Sequence, residues 1–426
     1  MSNTYNSEYF LMRLILKSDY WRSIASVLTG SAIAQIIPIL GALVIARLYS
    51  PGEFGVFASW LGGVVFLGVL VTGRFETALA IEQDGEPRGH AAYAVLVTSL
   101  MVAFGLMFAI LVLSYAFPAI TQSISTTLLL CAVPTALTIG VLQTWQSWAA
   151  AEGNYGQLSR MRICSASAIT LLQIGLGWIQ PSATTLGVGY FLGGLIACGI
   201  AMKLMPLRVP GQDATKVKKI KEFWSRQRRF PQFSLPADAI NSAAAQLPII
   251  IVAHRYGAEV AGLLAMTLRI LGAPLGLLGK SVLDVFKRHA ASHYRQYGEC
   301  SDMYIRTLKV LSVGSLIFVV AMLFLSESLF VVFFGEKWRF SGTIATWMLP
   351  YFALAFIASP LSYMVYIAGK QNLDLMWQLA LLAMTVTALS VFQNYATALK
   401  IYSAGYAALY FVYIAMSYHF SLGEKR

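Results

Sequence analysis

Long apolar segments recur along the whole sequence, separated by short stretches that carry charges, proline and glycine. Each segment reaches the roughly 20 residues that a helix needs to cross a bilayer. Only 12% of the residues are charged, whereas soluble proteins carry roughly 25%, so the charges are too few to cover a water-facing surface. The apolar runs are continuous rather than alternating, which excludes a β-barrel. The sequence therefore predicts an all-α polytopic membrane protein.

The apolar runs define about twelve transmembrane helices. Their approximate limits are residues 23–46, 54–81, 91–116, 123–148, 161–179, 185–204, 234–254, 260–285, 307–325, 343–367, 373–392 and 397–418. If the N-terminus is inside, 23 of the 31 lysines and arginines fall in cytoplasmic segments and five fall outside. Because positive residues concentrate in cytoplasmic loops, we expect both termini in the cytoplasm.

A basic stretch divides the spans into two groups of six. The predicted parts are a cytoplasmic amphipathic segment (1–22), a six-helix bundle (23–204), a basic cytoplasmic linker (205–233), a second six-helix bundle (234–418) and a cytoplasmic tail (419–426). The halves begin alike, with Gln35, Pro38, Arg47, Tyr49 and Gly55 in the first and Gln246, Pro248, Arg255, Tyr256 and Gly262 in the second. An even number of spans per half gives parallel repeats, as in some transporters. The pattern favours transport over catalysis.

Ionisable residues inside spans are costly in lipid and usually face a cavity or a partner. The candidates for a cationic cavity that binds an anionic substrate are Arg269, Arg74 and Lys280. The candidates for ion coupling are Asp238, Glu76 and Asp284. A guanidinium or ammonium group in a cavity wall suits an anion such as a phosphate or pyrophosphate.

Helical periodicity predicts which of these charges share a face. Arg269 and Lys280 differ by about 20° around a helix, and their face also carries the small residues Gly262, Ala273 and Gly276. Glu76 lies about 200° from Arg74, so we expect these two side chains not to share a face.

Each of these features also has a purely structural explanation. Lys280 and Asp284 can form an i,i+4 pair that reaches the headgroups. Arg269 can sit in an ion pair between helices, and Asp238 can be the carboxylate at a helix start. A stripe of small residues also permits close helix packing. Both explanations stay open at the level of sequence.

Motifs of enzymes and of nucleic-acid binding are absent from the sequence. No glycine-rich loop with GK[ST] is present for ATP hydrolysis, and the longest segment outside the spans, 205–233, is too short for a catalytic domain. The four cysteines show no paired spacing, so we assign no metal site. The basic linker lacks aromatic platforms, which favours contact with anionic lipid over nucleic acid. We expect neither enzymatic activity nor a bound cofactor.

Three groups of short motifs run through the spans. The first group is residues 28–30, 47–55 and 73–80. The second group is residues 246–248 with Tyr256, Gly257, Gly262, Arg269, Pro274, Val285 and Phe286. The third group is residues 334–338 with Gly342, Pro350 and Tyr351. These motifs resemble those of Wzx-type oligosaccharide flippases, a family of the MATE-like MOP superfamily.

The resemblance implies two six-helix bundles in the bacterial inner membrane that flip an undecaprenyl-pyrophosphate-linked oligosaccharide for O-antigen or another surface polysaccharide. It implies alternating access driven by a proton or sodium gradient, with a cationic cavity that Arg269 and Arg74 match. Beside the bilayer and the lipid-linked substrate, the polysaccharide polymerase and the chain-length machinery are candidate partners.

Two other functions compete with flipping. A proton- or sodium-coupled multidrug extruder of the same fold is the alternative, although cationic drugs call for an acidic cavity and Arg269 and Arg74 lie deeper than most carboxylates. A polysaccharide polymerase would need a large outer loop, and the longest outer segment, about 326–342, is too short.

Overall fold

The computed structural model describes residues 30–116, 125–207 and 213–423. Within these ranges the side chains of 213–216, 277, 278, 280, 281, 284, 285, 288 and 371 are not described. The predicted amphipathic segment 1–22 and the end of the predicted tail, 424–426, lie outside the described residues.

Thirteen long helices follow one another in the described ranges. They are α1 (Gly30–Leu48), α2 (Pro51–Val71), α3 (Glu86–Ala116), α4 (Thr126–Ala151), α5 (Tyr155–Ile179), α6 (Ala183–Leu204), α7 (Asp213–Arg226), α8 (Leu235–Tyr256), α9 (Ala258–Tyr297), α10 (Ser301–Phe334), α11 (Arg339–Leu361), α12 (Gln371–Val391) and α13 (Tyr395–Ser421). All but α7 contain a stretch long and apolar enough to cross a membrane, which confirms the predicted twelve spans. Every described element is helical, which confirms the all-α fold class.

The second predicted span, 54–81, ends early because the chain leaves the right-handed helix after Val71. Gly73 and Arg74 both have positive φ, 59° and 63°, and two successive left-handed residues cannot continue an α-helix. A short 3₁₀ helix, Phe75–Ala80, follows the break. Arg74 and Glu76 therefore lie in a turn and a 3₁₀ helix, not within a transmembrane α-helix as predicted.

Helix α9 extends well beyond its predicted span. The apolar pattern predicts a span at 260–285 followed by a loop, whereas α9 runs from Ala258 to Tyr297. Residues 286–297 are polar but contain neither proline nor glycine, and the helix ends only at Gly298, where φ is 76°. The loop prediction was wrong because a loss of hydrophobicity ends a membrane span without ending a helix.

The predicted basic linker contains the amphipathic helix α7. Ile220 and Phe223, three residues apart, form its apolar face and are buried in a cluster with residues of α3. Trp224 Nε1 donates a hydrogen bond to Thr98 Oγ1 on α3 at 2.8 Å. About half of the linker is therefore a docked helix rather than an extended connection.

The chain forms two compact units. Unit 1 contains the chain up to Ile45 and Gly63–Ala243, and unit 2 contains Ala46–Gly62 and Ala244–Arg426. The core of unit 1 is built around Trp145, whose Nε1 donates to the Met205 carbonyl at 3.1 Å. In unit 2, α11 packs against α9, α10 and α13.

Two glycines bring the starts of α2 and α9 into backbone contact within unit 2. A Cβ atom on Gly55 would collide with the Ala258 carbonyl oxygen, and one on Gly262 would collide with the Pro51 carbonyl oxygen. The contact is reciprocal, because each glycine meets the carbonyl four residues before the other glycine, and the two glycines are 207 residues apart in sequence. Gly55 and Gly262 are matching positions of the repeat seen in the sequence, so this crossing supports the repeat.

Trp338 holds the end of α1 and the start of α2 within unit 2. Its side chain is fully buried, its Nε1 donates to the Ala46 carbonyl at 2.7 Å, and its ring meets Phe54 edge-on at 5.7 Å. A buried indole whose N–H is satisfied combines a large apolar contact with a directional bond. The motif 334–338 is thus anchored to the start of α2 through Trp338.

Candidate functional sites

One arginine lies between two carboxylates at the end of α2. Arg74 Nη1 donates to Glu76 Oε1 at 2.9 Å, and Arg74 Nε lies 2.7 Å from Asp238 Oδ2 in the first turn of α8. Glu76 is only 2% exposed, whereas the side chains of Arg74 and Asp238 are 23% and 37% exposed. The structure thus brings together three of the six site residues predicted from the sequence, all in unit 1.

The prediction that Arg74 and Glu76 occupy opposite faces was wrong. It assumed a continuous α-helix through position 76, but the helix ends at Val71. In the left-handed turn at Arg74 and the following 3₁₀ helix, the spacing of 100° per residue no longer applies, and the two side chains form an ion pair.

This charge cluster carries one more carboxylate than cation. Because Arg74 serves two carboxylates, its charge is already balanced within the cluster. Among the described residues, Glu76 Oε2 is buried and has no hydrogen-bond partner. A buried carboxylate oxygen without a donor is one that gains from a proton or a cation.

Another arginine, Arg88, is buried and binds the segment that follows this cluster. Its Nε and Nη2 donate to the carbonyls of Leu79 and Glu82 at 3.0 and 2.9 Å, and its Nη1 reaches Glu152 Oε1 at 3.0 Å. Sequence reasoning placed Arg88 in a cytoplasmic loop, but it lies at the start of α3 and is 4% exposed. The network fixes the segment after the 3₁₀ helix to the end of α4.

The predicted cationic face of α9 lies in unit 2. Arg269 is half-buried, two residues after Thr267, whose Oγ1 donates to the Ser341 carbonyl at 2.9 Å. Lys280 and Asp284 belong to the helical backbone of α9, but their side chains are outside the described part of the structure. The substrate-binding role of Arg269 and Lys280 stays a prediction.

Asp374, at the start of α12, is a buried carboxylate that the sequence reasoning missed. It is 9% exposed and accepts three hydrogen bonds. Tyr413 Oη donates to its Oδ1 at 2.7 Å, while Gln378 Nε2 and Tyr366 Oη donate to its Oδ2 at 2.8 and 3.0 Å. No lysine or arginine forms an ion pair with Asp374 among the described residues.

A cavity of about 230 Å³ adjoins Asp374. Aromatic and hydroxyl side chains line it, among them Trp377, Tyr410, Ser359 and Ser362. At roughly 30 Å³ for each water, the space holds several waters or a small hydrated cation. Aromatic faces and a carboxylate in one cavity favour a positive ligand.

The sequence carries a signal for this second site. Tyrosines at 402, 406, 410 and 413 recur at helical spacing and line one face of α13. The rings of Tyr402, Tyr406 and Tyr410 form a contiguous row and each contacts the ring of Tyr351. Tyr413 donates a hydrogen bond to Asp374. A row of tyrosines facing a carboxylate at a span start is the pattern that would have located the site.

Three solved structures with a similar fold are a flippase and two transporters. The lipid II flippase MurJ, in an inward closed conformation, has a TM-score of 0.71 at 13% identity, with 92% of this chain and 87% of that chain covered. An inward-facing multidrug resistance MATE family transporter of the MOP superfamily has a TM-score of 0.59 at 10% identity, with 91% and 93% covered. A MOP superfamily transporter from Pyrococcus furiosus has a TM-score of 0.55 at 12% identity, with 93% of each chain covered. These similarities show the MATE-like fold that the sequence predicted.

The family model described as polysaccharide biosynthesis protein matches residues 44–342, which is more than half of the chain. No curated protein matches the sequence. The matched range includes Gly55 and Gly262, which are matching positions of the two repeats, and the motif 334–338. This multi-pass membrane protein with the fold of the MOP superfamily therefore belongs to the polysaccharide biosynthesis protein family.

Proposed function

We propose that this protein flips an undecaprenyl-pyrophosphate-linked oligosaccharide from the inner to the outer leaflet of the bacterial inner membrane. The product would serve O-antigen or another surface polysaccharide, with the polymerase and chain-length machinery acting downstream. The observation that carries the proposal is the family match over residues 44–342 in a chain with the MOP fold. Flipping breaks no covalent bond, so it needs binding groups and a change of access rather than catalytic residues.

Arg269 is our candidate for the group that holds the pyrophosphate. It lies eleven residues into α9, roughly 16 Å along the helix axis, and thus about halfway through a hydrocarbon core of about 30 Å. A guanidinium at that depth is costly and is retained where it meets an anion or a cavity. Its planar donors can bind two phosphate oxygens at once, while the prenyl chain stays in lipid.

Ion coupling is the second part of the proposal. Asp374 has donors for its charge, an adjoining cavity and no ion-pair partner among the described residues, so it suits a proton or sodium ion. Glu76 and Asp238 share Arg74, and a cation or proton that neutralised Asp238 would loosen the contact that Arg74 makes between the end of α2 and the start of α8. Binding at these groups would bias the protein between two states of access.

The test of the substrate role is Arg269→Gln in a strain that depends on this protein for its surface polysaccharide. We expect at least a tenfold loss of surface polymer, measured by gel analysis at matched membrane expression. Arg255→Gln is the matched control, because Arg255 is exposed at the end of α8 and should leave the polymer unchanged. Equal polymer from the two variants would contradict the role of Arg269.

A multidrug extruder is the second candidate, and one observation favours it. The cavity beside Asp374 joins a carboxylate to Trp377 and Tyr410, a combination that also binds organic cations. Cells without the protein would then accumulate cationic dyes and keep their surface polysaccharide. Dye uptake and surface polymer, measured in the same deleted strain, separate the two functions.

A further inference from the structure

A concavity of about 820 Å³ opens in unit 1 where α7 ends and α8 begins. The side chains that define it are Arg226, Arg228, Arg229, Gln227, Ile81 and Phe233. Neither the proposed substrate contact at Arg269 nor the clusters at Arg74 and Asp374 use these residues. Its volume lies within the range of about 300–1,000 Å³ found for ligand sites.

The charge of this concavity is strongly positive. Glu82, which is 7% exposed, accepts from Arg226 Nη2 and from Gln227 Nε2, each at 2.7 Å. Arg228 and Arg229 are exposed, and within the described ranges no carboxylate pairs with them. The concavity therefore carries three guanidinium groups, and Glu82 pairs with that of Arg226 alone. This pair holds Arg226 in place and leaves two positive charges in excess.

Exposed apolar side chains lie beside these arginines. Ile81 is 67% exposed and Phe233 is 71% exposed, and both line the concavity. The candidate seventh span begins at Phe230, so the concavity lies at the level where the membrane surface begins. Arginine beside exposed aromatic and aliphatic groups is typical of a surface that meets headgroups and the first part of the acyl chains.

We propose that this concavity binds the phosphate or pyrophosphate group of a membrane lipid, with the apolar side chains in contact with the lipid chain. Arg228 and Arg229 supply planar donors for the phosphate oxygens. Glu82 acts as a positioning residue, because it holds Arg226 and Gln227 at the rim. The proposal rests on the geometry of unit 1 and does not depend on which substrate the protein moves.

Native mass spectrometry of the purified full chain in detergent tests the site. The probes are phosphatidylglycerol, undecaprenyl phosphate and inorganic pyrophosphate. We compare Arg228→Gln/Arg229→Gln with Lys218→Gln/Lys221→Gln, which removes the same charge from exposed positions of α7 outside the concavity. All the substituted residues are exposed, and a thermal unfolding curve checks that each variant folds.

We expect the arginine variant to bind at least tenfold less lipid phosphate than the wild type, and the lysine variant to bind within twofold. Loss of undecaprenyl phosphate alone would identify a prenyl carrier as the occupant, and loss of both lipids would identify any lipid phosphate. Equal losses in the two variants would show diffuse charge attraction and overturn the site. Inorganic pyrophosphate binding as tightly as the lipids would also overturn its assignment to a lipid.

Discussion

The two units each contain a buried carboxylate, and they balance its charge in different ways. In unit 1, Glu76 shares the guanidinium of Arg74 with Asp238 at 2.9 and 2.7 Å. In unit 2, Asp374 accepts from two tyrosines and a glutamine and adjoins a cavity. An ion pair cancels charge within the fold, whereas neutral donors stabilise a carboxylate and leave its charge for a mobile cation. The first arrangement suits a structural connection that protonation can release, and the second suits an exchangeable ion.

The largest expected effect is that of Arg74→Ala. It leaves the buried carboxylate of Glu76 without a cation, and breaking a buried pair in this way costs about 3 kcal/mol of the free energy of unfolding. Denaturant titration of the purified protein in detergent measures the loss. Adding Glu76→Gln to the same chain removes the unpaired charge and should recover more than half of the loss. A double variant as unstable as Arg74→Ala would contradict the pairing.

Asp374→Asn should lower the free energy of unfolding somewhat less than Arg74→Ala does, and it should remove the stabilisation of the protein by sodium. The neutral amide keeps only one accepting oxygen, so the donors at the other position lose their acceptor, which lowers the free energy of unfolding by about 2 kcal/mol. Sodium should raise the unfolding midpoint of the wild type, because a ligand bound only by the folded state stabilises it. The variant should lose this rise, whereas Asp302→Asn, at an exposed position of α10, should keep it. The same sodium response in Asp374→Asn would rule out an ion site there.

Tyr413→Phe removes the one donor that the structure shows on Asp374 Oδ1. Loss of a single hydrogen bond to a carboxylate should lower the free energy of unfolding by about 1 kcal/mol. Tyr410→Phe is the matched control, because Tyr410 lines the same cavity without a hydrogen bond to Asp374. If the control costs as much as Tyr413→Phe in denaturant titration, the hydrogen bond is not what stabilises the carboxylate.

Asp238→Asn should lower the free energy of unfolding by the smallest amount. Its side chain is 37% exposed, and Arg74 keeps Glu76 as a partner. A partly exposed ion pair contributes about 0.5 kcal/mol to stability, which the same titration measures. A cost equal to that of Arg74→Ala would show that Asp238, and not Glu76, is the main partner of Arg74.

The transmembrane architecture could be predicted from the sequence because the bilayer imposes a length on each apolar run. The ends of the helices could not be predicted in this way. A helix can stop inside an apolar run, as at Val71, or continue through polar residues, as α9 does at 286–297. The repeat was visible in short motifs, and the crossing of Gly55 and Gly262 gives it a physical basis.

The contacts of the site residues were less predictable, because they depend on elements distant in sequence. Arg74 and Asp238 are 164 residues apart, and only the fold brings them to 2.7 Å. Asp374 stands one residue inside the predicted span 373–392, where a carboxylate is easily taken for the end of a helix. Its environment comes from Tyr413 on another helix and Tyr366 in the preceding turn. The row of tyrosines on α13 was the sequence feature that could have predicted the site at Asp374.

Mass spectrometry of prenyl-pyrophosphate-linked saccharides, in membranes of a strain depleted of this protein, tests flipping most directly. The account predicts that one complete saccharide repeat unit accumulates on its lipid carrier while surface polymer falls. That result would also identify the sugar. Unchanged lipid-linked saccharides together with normal surface polymer would contradict the proposed function.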